Sequence, residues 1–344
     1  MVRMDNLNFS IPYDGKPESL PRIFALNKLG QNRVREVYIA GPQEFSAAAR
    51  IMPKIDLDEF TNIVDKIHAE GIRVNMLLNP VCEGGGWYEP EVMQSRIDYV
   101  HLMHEEHGVE TVTIANPIYI KEVRKHVPTI EICASVLSAI DSVQRAAYFK
   151  EMGADVIIPD TNVNRDLDML AEMKLRTGAE LKLMVNQGCL YECPFERFHA
   201  AFVSHKSVEE SGSTNSAEIL KVFFQNCSKL VNEHRGYVFQ SPWIRPEDMR
   251  GYGEITSGFK IVGRSNPKWE RISQAYMEES WDGNLFELMD ASIRFFASTH
   301  SACIDNKKLD QYNFFKTVTA CGHRCGACSY CDELADKLIT TQTP

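Results

Sequence analysis

Residues 131–173 run EICASVLSAIDSVQRAAYFKEMGADVIIPDTNVNRDLDMLAEM. Two apolar, β-branched runs, TIEICASV (129–136) and ADVIIPD (154–160), flank SAIDSVQRAAYFKEMG, whose apolar residues recur at three- and four-residue spacing. Runs of the first kind suit strands buried on both faces. The spacing between them suits an amphipathic helix, and the closing Gly153 suits its C-terminus. The unit is therefore strand–helix–strand, and NRDLDMLAEMKLRTG begins the next helix in the same style.

Working outward, the alternation continues in both directions. The other runs are VREVYIAGP (34–42), IRVNMLLNP (72–80), VETVTIANP (109–117), ELKLMVNQG (180–188), GYVFQSP (236–242) and GFKIVGR (258–264). Helical stretches such as DLDEFTNIVDKIHAEG and VMQSRIDYVHLMHEEHG lie between them, again closing on Gly. Eight strands alternating with helices predict an α/β fold, a (β/α)8 TIM-like barrel. A doubly wound sheet would share the alternation. The count of eight and the lack of a Gly-rich dinucleotide turn favour the barrel. The expected organisation is an N-terminal segment (1–33), a barrel (34–285) with a long insertion (189–236), and a helical, cysteine-rich C-terminal extension (286–344).

At 344 residues, 44% hydrophobic and 24% charged, the composition is that of an ordinary globular protein. The net charge of −10 argues against nucleic-acid binding driven by phosphate neutralisation. No apolar run follows the basic residue of MVRMDNLNFSIPYDG, and no segment approaches the roughly 18 apolar residues of a membrane span. The expectation is a cytoplasmic protein with no membrane partner. In that reducing compartment ten cysteines point to metal ligands, catalytic groups or buried packing rather than to the disulfides of a secreted protein.

Barrel chemistry sits at the C-terminal ends of the strands. That rule selects Asn79, Asn116, Arg245, Lys260 and Arg264 as substrate-binding candidates and Asp160 and Glu192 as proton-transfer candidates. Each has a plainer reading: Asn and Asp cap turns and helices, and the cations pair with carboxylates. Cys189 and Cys193 follow the sixth run, with Cys227 further along the same insertion. Thiolates gathered at a barrel mouth suit iron–sulfur clusters or zinc. In the tail, CGHRCGACSYC places Cys321, Cys325, Cys328 and Cys331 within eleven residues. That crowding favours iron–sulfur over structural zinc, whose ligands usually come as two knuckles on a longer loop. Cys82, at the rim, is a further possible ligand or a reactive thiol. Cys133 and Cys303 are expected in the core, the second on a helix.

These stretches resemble the collagenase-like peptidases, peptidase family U32. The opening segment resembles that family's central signature, and the likeness continues through the Cys189 segment, SPWIRPEDM (241–249) and GFKIVGRSNPKWERISQAYME (258–278). The superfamily includes oxygen-independent iron–sulfur hydroxylases of tRNA uridine, ribosomal RNA cytidine and a quinone precursor. The resemblance implies one or two 4Fe–4S clusters, with Cys189, Cys193 and Cys227 matching three of four barrel-mouth ligands approximately. Their spacing is shorter than the family's, and Met249 and Arg250 stand where a fourth cysteine is expected. Cys82 or a tail cysteine would complete the site, or one iron would stay open. The expected activity is redox chemistry, hydroxylation or a relative of it, on a small anionic or aromatic molecule, served by an electron donor through the tail. A homo- or hetero-oligomer fits the paired quinone hydroxylases. A metal-dependent peptidase and a non-catalytic iron–sulfur or zinc scaffold are the alternatives.

Overall fold

The computed structural model describes residues 6–42, 49, 55–208 and 216–341. Eight parallel strands close into a barrel in sequence order: β1 Asn8–Pro12, β2 Arg33–Ala40, β3 Arg73–Leu78, β4 Thr111–Ile114, β5 Glu131–Ala134, β6 Val156–Ile157, β7 Glu180–Met184 and β8 Gly258–Lys260. The helices between them are α1 Leu20–Leu26, α2 Leu57–Ala69, α3 Pro90–Glu105, α4 Pro117–His126, α5 Val143–Glu151 and α6 Leu167–Thr177. After β7 come α7 Glu196–Val208, α8 Ser216–Glu233 and α9 Tyr237–Gln240, and α10 Trp269–Met277 follows β8. The fold is a (β/α)8 barrel whose seventh connection carries three helices instead of one.

Two boundaries differ from the expectation. The N-terminal segment is not outside the barrel, because β1 fills the gap between β2 and β8, with Phe9 opposite both Val34 and Phe259. Conversely, GYVFQSP forms no strand. Its Tyr237–Gln240 is a helical turn whose Val238 and Phe239 are buried. An apolar run this short fits a buried helix as well as a strand, and only the closing register decides. The helix-ending glycines do behave as expected: Gly71, Gly108, Gly153 and Gly178 all have φ between 61° and 114°, where other residues are strained.

Along β2, Val34, Val37 and Ile39 face the helices in the main core, while Tyr38 and Ala40 form a separate small cluster with Leu77. Cys133 lies in a second small cluster with Val156 and Ile158, buried as expected. Deeper in, the strands enclose polar groups. Glu36 Oε1 is 2.6 Å from Lys182 Nζ and accepts from Ser10 Oγ at 2.7 Å and Asn75 Nδ2 at 2.9 Å. Thr113 donates to Asn75 Oδ1 at 2.7 Å. Burial alone would raise the Glu36 carboxyl; Lys182 and these donors outweigh it and hold the carboxyl down to about 2. Nearer the N-terminal strand ends, Arg35 pairs with Glu180 and Glu131, and Arg73 with Glu131, binding β2, β3, β5 and β7 together.

The tail comprises α11 Ala291–His300, α12 Phe314–Ala320 and α13 Tyr330–Leu338, with a two-stranded sheet of β9 Ala302–Cys303 and β10 Thr340–Thr341. Cys303 therefore lies on a strand, not a helix. α11 packs on α8 and α13 on α9, so the tail clasps the enlarged seventh connection. The fit is close: a Cβ on Gly236 would stand 2.0 Å from Asp332 Oδ1. Among the described residues no helix is long and apolar enough to cross a membrane.

Candidate functional site

The C-terminal strand ends carry three groups of side chains. The first is cationic. Lys260 ends β8 and is 6% exposed. Its Nζ lies 4.0 Å from the centre of the Tyr38 ring, and the Arg264 guanidinium lies 5.6 Å from the same ring. Burial, aided by the charges of Lys182 and Arg264, pushes the Lys260 ammonium down to about 8. Two neighbouring cations around one aromatic ring make a place where an anion is favoured.

The second group is acidic. Asp160 caps the turn after β6 by accepting from Asn162 N at 2.9 Å, and burial raises its carboxyl. Glu192 is exposed on the loop after β7, with φ of 48°. Sequence reasoning missed Glu196 at the start of α7. A helix N-terminus ordinarily favours the charged carboxylate. Here burial, together with Asp160, Cys193 and Glu192, raises Glu196 to about 7, a proton affinity suited to acid–base work at neutral pH.

The third group is sulfur. A hydrogen bond from Cys227 lowers the Cys193 thiol to about 7, and Cys189 is close enough for its charge to act on Cys227. The long connection thus brings Cys193 and Cys227 into contact, with Cys189 in the neighbourhood of Cys227. In the tail, Cys321 and Cys328 act electrostatically on both Cys325 and Cys331, and burial with that repulsion pushes Cys331 up to about 12. Tyr191 stacks on His323 at 4.2 Å and 10°, joining the Cys189–Cys193 loop to the tail. His323 Nε2 is buried with no hydrogen-bond partner. Beneath lies Arg165, 3% exposed, its guanidinium 4.9 Å from the Trp243 ring and 5.2 Å from that of Phe314. It donates to the Phe239 and Trp243 carbonyls. Burial lowers its proton affinity, opposed by the nearby Tyr252, Cys331, Asp248 and Cys321. Asp248 is already held by Arg245 through two hydrogen bonds of 2.8 and 2.9 Å.

The remaining candidates are engaged structurally. Arg245 also donates to Asp310 Oδ1 and Asn306 O, pinning the tail to the turn after α9. Asn79 accepts from Ala49 N and donates to Ser135, while Asn116 caps α4 by accepting from Ile118 N. Cys82 does not join the other thiols; its Sγ lies 3.7 Å from His205 Nδ1 on α7. All ten cysteines are free thiols. Among the described residues no three Cys, His, Asp or Glu side chains are already set to hold a metal ion.

A sequence profile described as Peptidase family U32 matches residues 23–193. The uncharacterized protease MJ1657 of Methanocaldococcus jannaschii is 29% identical over 341 residues, covering 96% of this chain and 98% of its own. The solved structure of the U32 peptidase Mk0906 superposes with a TM-score of 0.54 at 17% identity, covering 76% of this chain and 94% of its own, a likeness of fold. With the barrel, the profile match and the full-length relative in agreement, the chain belongs to peptidase family U32.

Proposed function

We propose that the protein is an iron–sulfur enzyme in which Cys321, Cys325, Cys328 and Cys331 hold a cluster against Arg165, and Lys260 with Arg264 bind a small anionic substrate at the barrel mouth. The observation that carries this is the buried guanidinium. An isolated buried cation is costly, and such groups are normally paired. Arg165 forms no salt bridge among the described residues, Asp248 is spent on Arg245, and the tail's Cys331 and Cys321 are near it. Four thiolates around iron and sulfide would supply the missing anion. The orphaned His323 Nε2 also suits a guest between tail and mouth.

The residues fit such a group by donor chemistry: soft sulfur ligands select iron–sulfur or zinc. The tail loop would close around its guest on loading, as thiol sites coupled to folding do. When bound, the cluster supplies electron transfer. The chain's own residues do the rest. Lys260 and Arg264 orient the anionic part of the substrate, and Glu196, with Asp160 beside it, holds or releases a proton near the Cys193 end of α7. Cys189, Cys193 and Cys227 are the ligands of a second cluster in this reading, zinc being the competing metal at either set. An electron donor would dock on the exposed tail, in a reducing cytoplasm.

The test is electron paramagnetic resonance on the anaerobically purified, dithionite-reduced chain. An iron–sulfur signal lost in Cys321→Ser is expected. If Cys189→Ser removes a different signal there are two clusters. A colourless protein containing only zinc contradicts the proposal.

A further inference from the structure

We propose that Cys82 and His205 form a second catalytic site, a thiol nucleophile and its base, that transfers an apolar or aromatic acyl group from an ester or amide to water. Cys82 leaves β3 at the barrel mouth, and His205 sits near the end of α7. The ten-residue span from Glu196 to His205 covers about 13 Å at 1.5 Å per residue, so α7 reaches across the mouth from the β7 side to the β3 side. Its arrival is fixed by a hydrogen bond of 3.1 Å from Val81 N to Ser204 Oγ, one residue before the pair on each chain segment. The Sγ–Nδ1 separation of 3.7 Å is within hydrogen-bonding reach for sulfur. A nucleophile and a base held so by two elements form the arrangement that activates thiols.

A cavity of about 240 Å³ lies beside the segment that leads into Cys82, lined by Pro80, Val81, Trp87, Tyr88, Asn116 and Ile118 among others but by neither member of the pair. Pro80 and Val81 lead directly into Cys82. The lining is mainly apolar and aromatic, but it includes two polar groups without partners. Asn116, 8% exposed, spends its Oδ1 on capping α4 and leaves Nδ2 unsatisfied. Trp87, 7% exposed, leaves Nε1 unsatisfied. Buried donors are rarely left so. The mainly apolar and aromatic lining suits an apolar acyl group.

In the reaction, His205 takes the Cys82 proton and sulfur attacks the carbonyl carbon. The C–S bond forms as the bond to the alcohol or amine breaks, and the leaving group takes the proton back. Water then hydrolyses the thioester with His205 again as base, releasing the carboxylic acid and restoring the thiol. No electrons are exchanged, so this chemistry is independent of any cluster.

The test uses p-nitrophenyl phenylacetate on the full chain, with nitrophenol release and intact-mass analysis. A burst with the phenylacetyl mass on Cys82 is expected, absent in Cys82→Ser. His205→Gln should slow acylation at least tenfold, since a positioned base contributes about 10²–10⁴. Asn116→Leu should raise KM, with Cys82 alkylation by iodoacetamide as the check that the fold survives. Acylation of Cys82 no faster than of Cys303, or unchanged in His205→Gln, overturns the proposal. So does loss of iron in Cys82→Ser, which would make Cys82 a ligand; loss of iron only in the tail variants bears on the cluster alone.

Discussion

Replacing Glu36 by Gln tests what holds the inside of the barrel. Both members of the Glu36–Lys182 pair are buried, at 1% and 3% side-chain exposure, with 2.6 Å between charged atoms. Removing one partner of such a pair strands the other and costs about 3–5 kcal/mol. The carboxyl gives a matching figure: held at about 2 against its usual 4.5, it contributes about 3 kcal/mol at 1.36 kcal/mol per unit. Because the folded value is depressed, that contribution is present above pH 4.5 and is lost as pH falls towards 2. With about 2.1 cal/mol/K of unfolding entropy per residue, a 344-residue chain has about 0.7 kcal/mol/K, so Tm should fall by about 4–7 °C. The assay is calorimetry at pH 7 on Glu36→Gln, Lys182→Met and the double variant. The double variant should lose less than either single change, because no charge is left stranded. If it loses the sum of the two, the pair is not coupled and the reasoning fails.

Further outcomes follow from other contacts. Arg165→Met should lower the iron retained after anaerobic purification at least severalfold, measured beside Arg165→Lys, which keeps the charge and should retain more. Lys260, depressed to about 8 from 10.5, penalises the folded state below pH 8, so stability should rise as pH rises from 8 towards 10.5. In denaturant titrations that rise should vanish in Lys260→Met. Its size is about 1–3 kcal/mol, because the Tyr38 ring returns part of the burial cost. Gly236→Ala should force α13 off α9, raising amide hydrogen exchange in the tail while leaving the strands protected.

The strand–helix rhythm was legible because parallel strands buried on both faces are nearly continuous apolar runs. What misled was one run of the right composition in the wrong element. Val238 and Phe239 pack as a helical turn, while NFSIP, five residues ending in proline, closes the barrel. Cysteines announce themselves by type and spacing, so both thiol groups could be named before their geometry was known. The Cys82–His205 contact could not, since it joins positions 123 residues apart and depends on α7 crossing the mouth. Glu196 was invisible for a different reason. A glutamate in the first turn of a helix is ordinary, and only burial beside Asp160 and Cys193 makes it unusual. Nothing in the sequence marks Arg165; only its burial does.

The most direct measurement is the iron and acid-labile sulfide content of the full chain purified without oxygen, beside its Cys331→Ser variant. Brown protein with about four iron atoms and about four sulfides per 4Fe–4S centre is expected, with a loss of one centre's worth in the variant. Protein free of iron and sulfide under those conditions, or iron content unchanged by the substitution, would contradict it.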